Sequence, residues 1–293
     1  MRIVLIGSVQ FSLSAFRQLC QMNANIVGVC TKKSSIFNTD HADLSVFSAE
    51  QGIPFLYVQD INAPEVITWI EALNADIIFC FGWSQILRNQ LLDIAPLGVI
   101  GFHPSELPKN RGRHPLIWSL VLGLESTGST FFFMDSGTDS GDIISQRKII
   151  IDRDDVAESL YRKVTITALD QIKEFVPQIE SGLIKREKQD PTFANIWRKR
   201  DARDGLIDWR MTAESIHNLV RGLSGPYIGA HFIHGGKEIK VWKTMILYDF
   251  PTNIEPGKVL LCSEMGPVVK CGEGAIALLS TSPEFKTIEG AYL

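Results

Sequence analysis

With 293 residues, 45% of them hydrophobic and 21% charged, the chain has the make-up of a folded protein of two ordinary domains, not of a disordered or fibrous one. Its net charge of −4, from 29 basic and 33 acidic side chains, argues against a protein whose main task is gripping nucleic acid, which needs a basic footprint. No apolar run reaches the roughly 18–20 residues of a bilayer span, so no membrane partner is expected.

The chain opens with Ile3–Ile6, a buried-strand run ending at Gly7. This opening lacks the apolar region and cleavage site of a signal peptide, and a cytoplasmic location is expected. Phe11–Met22 has helical apolar spacing, and Asn25–Cys30 is a second strand. This β-α-β opening predicts a Rossmann-like parallel sheet. The dinucleotide fingerprint G-x-G-x-x-G is absent, so no nicotinamide or flavin is inferred. Lys32–Asp43 reads as a polar loop, Leu44–Gly52 as a helix, Ile53–Val58 as a strand and Ala63–Leu73 as an amphipathic helix. Asp76–Phe81 is a continuous apolar strand of the kind buried on both faces. A helix is expected over Ile86–Ile94 and a strand over Leu97–His103.

The next stretch is the richest in chemistry. His103 closes an apolar strand, and open α/β sheets place their ligands at the carboxyl ends of strands. Pro104, Pro108 and Gly112 forbid a helix and force an irregular loop carrying Lys109, Arg111, Arg113 and His114. Downstream, Asp135-Ser-Gly-Thr-Asp139-Ser-Gly-Asp142 is too acidic and Gly-rich for a core and reads as a turn that aims a carboxylate. Spacing alone does not choose among Asp135, Asp139 and Asp142.

Beyond it, Asp142–Asp152 reads as one or two strands and Asp155–Ile179 as a long helix that stops at Ser181-Gly182. Pro191–Asp204 is polar and basic, a plausible linker. Thr212–Leu223 is a short helix. Strand runs then follow at Tyr227–Ile233, Lys240–Leu247, Pro256–Leu261, Gly266–Cys271 and Ala275–Leu279, separated by Gly-rich turns, and predict a small barrel or sandwich. From 191 to 293 the count is twelve Lys/Arg against eleven Asp/Glu, a balanced charge. Five scattered cysteines without C-x-x-C, and no His/Cys/Asp cluster at ligand spacing, indicate neither a disulfide framework nor a metal site. Ser105 lies near His103, but no G-x-S-x-G elbow exists for a serine hydrolase.

His-Pro-Ser-x-Leu-Pro-x-x-Arg-Gly-x-x-Pro from His103 to Pro115, followed by Asp139-x-Gly-Asp142-Ile, resembles the formyltransferases that use 10-formyltetrahydrofolate. That group includes methionyl-tRNA formyltransferase and the nucleotide-sugar N-formyltransferases. DGLIDW (Asp204–Trp209), Ile216–Val220 and GPYIGAHF (Gly225–Phe232) extend the resemblance over nearly the whole chain. It implies a catalytic Rossmann-like domain with helices on both faces over 1–188 and a linker over 189–204. A β-rich, barrel-like (OB-like) domain then fills 205–293.

The same resemblance implies that His103 and Asp139 are catalytic. It also implies that the segment of Trp83, Ile86 and Leu87, with Asp135 and Gly137, frames the folate, and that no metal takes part. Ser105, Lys109, Arg111 and Arg113 are expected to bind the acceptor or the folate tail. The place of the family's Asn falls on Gly101, a departure that removes a side-chain donor to the formyl oxygen. Losing such a donor typically costs on the order of 10²–10³ in rate. Asn110 and Gln85 are the nearby amides that could replace it. The expected acceptor is a dTDP- or UDP-linked amino sugar. Methionyl-tRNA is the alternative, as is a binding module of low turnover. A homodimer through the apolar strands of the second domain is a further expectation.

Overall fold

Four consecutive fully buried apolar residues, Ile3 to Ile6, make the first strand the centre of a sheet rather than its edge. The computed structural model describes residues 1–35 and 39–293. It divides into two compact units, one of residues 1–115, 127–149 and 162–197, the other of residues 116–126, 150–161 and 198–293.

The first unit runs β1 (Arg2–Ile6), α1 (Gln10–Gln21), β2 (Asn25–Thr31), α2 (Ser45–Glu50), β3 (Phe55–Tyr57), α3 (Pro64–Ala72), β4 (Ile77–Cys80), α4 (Asn89–Leu92) and β5 (Val99–His103). After β6 (Arg111–Gly112), and after α5 (Pro115–Val121), which falls almost wholly in the second unit, come β7 (Ser126–Phe133), β8 (Ile143–Ile150), α6 (Ala157–Glu180) and β9 (Ile196–Trp197). The seven-stranded sheet has the order β3-β2-β1-β4-β5-β7-β8. Its first five strands are parallel, and β7 runs antiparallel to β5 with His103 opposite Thr130.

The chain winds outward from β1 in one direction through β2 and β3, and in the other through β4 and β5. The reversal between β1 and β4 opens a crevice at the carboxyl ends of these strands. Helices cover both faces. Val4, Ile6, Ile78 and Val99 pack with Val66, Ile67 and Ile70 of α3. On the opposite face Phe79, Phe81, Phe131 and Phe175 of α6 form a chain of rings with centroids 4.8–5.3 Å apart.

The second unit holds α7 (Ala213–Leu223) and the strands β10 (Ala230–His234), β11 (Lys237–Leu247), β12 (Val259–Ser263), β13 (Gly266–Lys270) and β14 (Ala275–Ser282). They form one antiparallel sheet in the order β10-β11-β14-β13-β12. Thr212 caps α7 by accepting from the Ser215 amide, and the helix buries Ile216, Leu219, Val220 and Leu223 against Phe232, Val241 and Ile276.

Three local expectations change. The helix expected over Ile86–Ile94 shrinks to Asn89–Leu92 because side-chain amides hold the preceding residues in a non-helical path. Asn62 donates to the Ile86 carbonyl and accepts from the Arg88 amide, while Gln85 accepts from the Ile61 amide and donates to the Gln59 carbonyl. The strand expected from Tyr227 starts only at Ala230, since Gly229 sits at φ +81°, outside extended backbone. Within Asp142–Asp152 a single strand forms, β8, over Ile143–Ile150. Pro191–Asp204 carries two 3₁₀ turns, Pro191–Phe193 and Ala202–Gly205, and β9. Of the loop Lys32–Asp43, residues 36–38 lie outside the described residues; His41 Nε2 is bonded to the Lys32 carbonyl. No described helix is long and apolar enough to cross a membrane.

Candidate active site

His103 ends β5 at the carboxyl edge of the sheet, and only 5% of it is exposed. Its Nδ1 lies 3.5 Å from Asp139 Oδ2 and its Nε2 2.8 Å from the Asn110 carbonyl oxygen. Both partners are acceptors. A neutral imidazole has one N–H and satisfies one of them, whereas the doubly protonated ring donates to both. Each ring nitrogen of His103 thus faces an acceptor.

The loop after His103 is shaped by its own backbone. Ser105 is fully buried and its Oγ donates to the Lys109 carbonyl, closing the first turn. Asn110 adopts a left-handed φ of +62° and Gly112 a φ of +99°. A Cβ on Gly112 would fall 2.3 Å from the Trp197 carbonyl oxygen, so only glycine lets β6 run beside β9. The Gly112 amide donates to Asp139 Oδ2 at 2.8 Å, orienting the carboxylate toward His103.

The remaining expected site residues fall in distinct places. Lys109 and Arg113 are exposed, and Arg113 Nη1 donates to the Ser84 carbonyl at the end of the β4 turn. Arg111 turns its guanidinium to Gln189 Oε1. Asp135 caps its own turn, accepting from the Gly137 amide and from Ser140 Oγ, away from His103's ring nitrogens. Leu87 is a core residue, Ile86 is 78% exposed, and Trp83 is half-buried. The Trp83 Nε1–H is itself buried and has no hydrogen-bond partner among the described residues.

Gly101 lies two residues before His103 on the same face of β5. A Cβ there would meet Met134 Cγ at 2.9 Å, Phe132 Cζ at 3.0 Å and Met134 Sδ at 3.1 Å. The space for a side chain at this position is filled by the Met134 thioether. Of the two candidate amides, the Gln85 side chain is already engaged with Gln59 and Ile61, while Asn110 approaches the His103 ring with its backbone carbonyl. The Cys80 thiol, in register with Gly101, is pushed up to about 12 by burial and so is no nucleophile.

Residues that sequence reasoning passed over are Met134, Gln189 and Asn195. Asn195 accepts from the Asn110 amide through Oδ1 and from the Arg111 amide through its carbonyl. Gln189 and Asn195 carry no periodic signal, being single amides in a polar stretch. Among the described residues no group of His, Cys, Asp or Glu could hold a metal ion.

A buried histidine with a carboxylate partner, flanked by an irregular loop at the carboxyl edge of an open parallel sheet, is the layout of an α/β group-transfer enzyme. Residues 1–174 match the family model described as formyl transferase, and residues 199–292 match formyl transferase, C-terminal domain. The chain belongs to the formyl transferase family. It is 32% identical over 280 residues to methionyl-tRNA formyltransferase of Geobacter metallireducens, covering 94% of this chain and 89% of that protein. Among solved structures, WlaRD, a sugar 3N-formyl transferase crystallised with dTDP and 5-N-formyl-THF, superposes with a TM-score of 0.72 at 19% identity. That likeness covers 97% of this chain and 99% of that one. Methionyl-tRNA formyltransferase from Clostridium thermocellum superposes with a TM-score of 0.63 at 17% identity, over 84% and 93% of the two chains. The protein is thus a formyl-transferring enzyme. The indole N–H of Trp83, just past β4 and without a partner among the described residues, fits a ligand that brings a hydrogen-bond acceptor.

Proposed function

We propose that the chain transfers the formyl group to the primary amine of a dTDP- or UDP-linked amino sugar, with His103 and Asp139 as its catalytic pair. The observation that carries the chemistry is the placement of two acceptors around the His103 ring. 10-Formyltetrahydrofolate supplies an activated formyl carbon. As the amine's C–N bond forms and the bond to the folate nitrogen breaks, one proton must leave the attacking nitrogen and one must reach the departing nitrogen. His103 holds and moves that proton, and Asp139 stabilises the imidazolium. Much of the remaining rate gain comes from holding amine and formyl group together. Trp83, with the backbone around Leu87, is proposed to face the folate, and Lys109 and Arg113 to meet the phosphates or the folate tail. Ser105 is proposed to act by shaping the loop.

A small acceptor is supported by the overall acidic charge and by the twelve-to-eleven balance from 191 to 293. The sugar formyl transferase WlaRD matches this chain nearly end to end, which accords with that reading. A second reading, methionyl-tRNA as acceptor, is favoured by the sequence relatives, exemplified by the Geobacter protein. The deciding experiment is a mass-spectrometric transfer assay with dTDP- and UDP-amino sugars and, separately, charged initiator tRNA. A formyl gain on a sugar, abolished by His103→Ala, supports the first reading. Formylation of tRNA alone replaces it with the second.

A further inference from the structure

We propose that Gln189 is a positioning residue for the His103–Asp139 pair; this rests on the reading of that pair as the transfer site. The Gln189 amide is engaged on both sides. Nε2 donates to the carbonyls of Asp139 at 2.8 Å and Gly141 at 2.7 Å. Oε1 accepts from Arg111 Nη2 at 2.6 Å and Nε at 3.2 Å.

The residues it joins are those that flank His103. Asn110, just before Arg111, presents its carbonyl to His103 Nε2, and Gly112, just after, donates to the Asp139 carboxylate. Asp139 itself sits at φ +49°, a left-handed conformation that L-residues avoid unless their surroundings impose it. A bond to its own carbonyl is such a constraint. The chain His103, Asn110, Arg111, Gln189, Asp139 and back to His103 thus closes a ring, with the Gln189 side chain tying the basic loop to the acid turn.

Glutamine suits this place for a chemical reason. Two carbonyls need two N–H donors, and a guanidinium needs an acceptor; one primary amide offers both. Glutamate has nearly the same shape but turns carboxylate lone pairs toward two carbonyl oxygens. Asn195 and the β6–β9 pairing hold the loop from its other side.

The test compares wild type, Gln189→Ala, Gln189→Glu, Asp139→Ala and the Gln189→Ala/Asp139→Ala double variant. Transfer kinetics are run with amino-sugar and methionyl-tRNA acceptors, and amide hydrogen exchange is measured without any acceptor. The expected result is a kcat loss on the order of 10² for both Gln189 variants, with the folate KM unchanged. In the Asp139→Ala background, Gln189→Ala should cost clearly less than in wild type, because the part of its effect that passes through the Asp139 carboxylate is already lost. Exchange should quicken across 108–113 and 137–142 and stay slow in β1 and β4, which also shows that the variants fold.

A kcat near wild type in Gln189→Glu, equal losses with and without Asp139, or unchanged exchange in both segments would each overturn the proposal. Wild type that formylates tRNA and no sugar overturns the acceptor reading alone. If wild type formylates neither, the exchange data still decide the role of Gln189.

Discussion

The two units bury polar groups for different ends. In the parallel-sheet unit uncharged side chains such as Ser129 and Gln171 bond one another inside the fold, while the buried polar atoms of His103 and Trp83 lie at the carboxyl edge, the proposed place of reaction. In the antiparallel unit buried cations serve the fold itself. Arg221 donates to Asn218 Oδ1 and to the carbonyls of Asp152 and Asp155, and Lys270 Nζ donates to the Cys271 carbonyl. Chemistry is thereby concentrated in one unit and titration-sensitive stability in the other.

The largest effects should come from the sheet edge. His103→Ala and Asp139→Ala are expected to lower kcat by about 10²–10⁴, as for loss of general acid–base help, while the melting temperature barely moves. A variant that loses activity only by unfolding would break the contrast, and circular dichroism checks that.

Next comes Gly101→Asn. Its side chain must displace Met134 and Phe132, so a loss of about 1–3 kcal/mol is expected in urea unfolding. Adding Met134→Ala should recover part of it, since the Cγ and Sδ contacts vanish. No recovery would mean that Phe132, not Met134, sets the limit.

In the second unit, Arg221→Met leaves three acceptors without their donor and should cost about 1–2 kcal/mol, with transfer kinetics unchanged. The smallest effect is on pH dependence. Burial, helped by the Arg221 guanidinium, holds His217 below its ordinary value, and burial with the Lys240 ammonium does the same to His231. For a histidine lowered in the folded state, the unfolded chain binds more protons once pH drops below about 6.5. Stability is therefore full above that pH and declines below it. Urea midpoints from pH 8 to 5 should fall, and His217→Gln should flatten the curve.

Much of this architecture was legible in the sequence, because a central parallel strand must be apolar on both faces and β1 and β4 announce themselves as such. His103 was legible for the same reason, as the polar residue that ends an apolar strand. Asp139 needed the family resemblance, since Asp135 and Asp142 have equal claims in an acidic turn. Helix α4 was misjudged because Asn62 and Gln85 act across about two dozen residues, a distance at which periodicity carries no signal. Gln189 stayed hidden for the same reason, as it bonds residues 48 to 78 positions away.

The Asn110 carbonyl on His103 Nε2 has a further consequence. An activated formyl group beside an uncovered imidazole is open to water, which would release formate and squander the donor. With one nitrogen stoppered by the chain's own backbone and the other turned to Asp139, the ring has no site on which to activate a stray water. On the reading of His103 as the proton carrier, a reactant that exchanges its proton through Nε2 must displace that carbonyl, and its binding is weakened by the work of displacing it. Loosening the stopper with Asn195→Ala should raise formate release in the absence of amine. On that reading the loop would guard the formyl donor against idle hydrolysis.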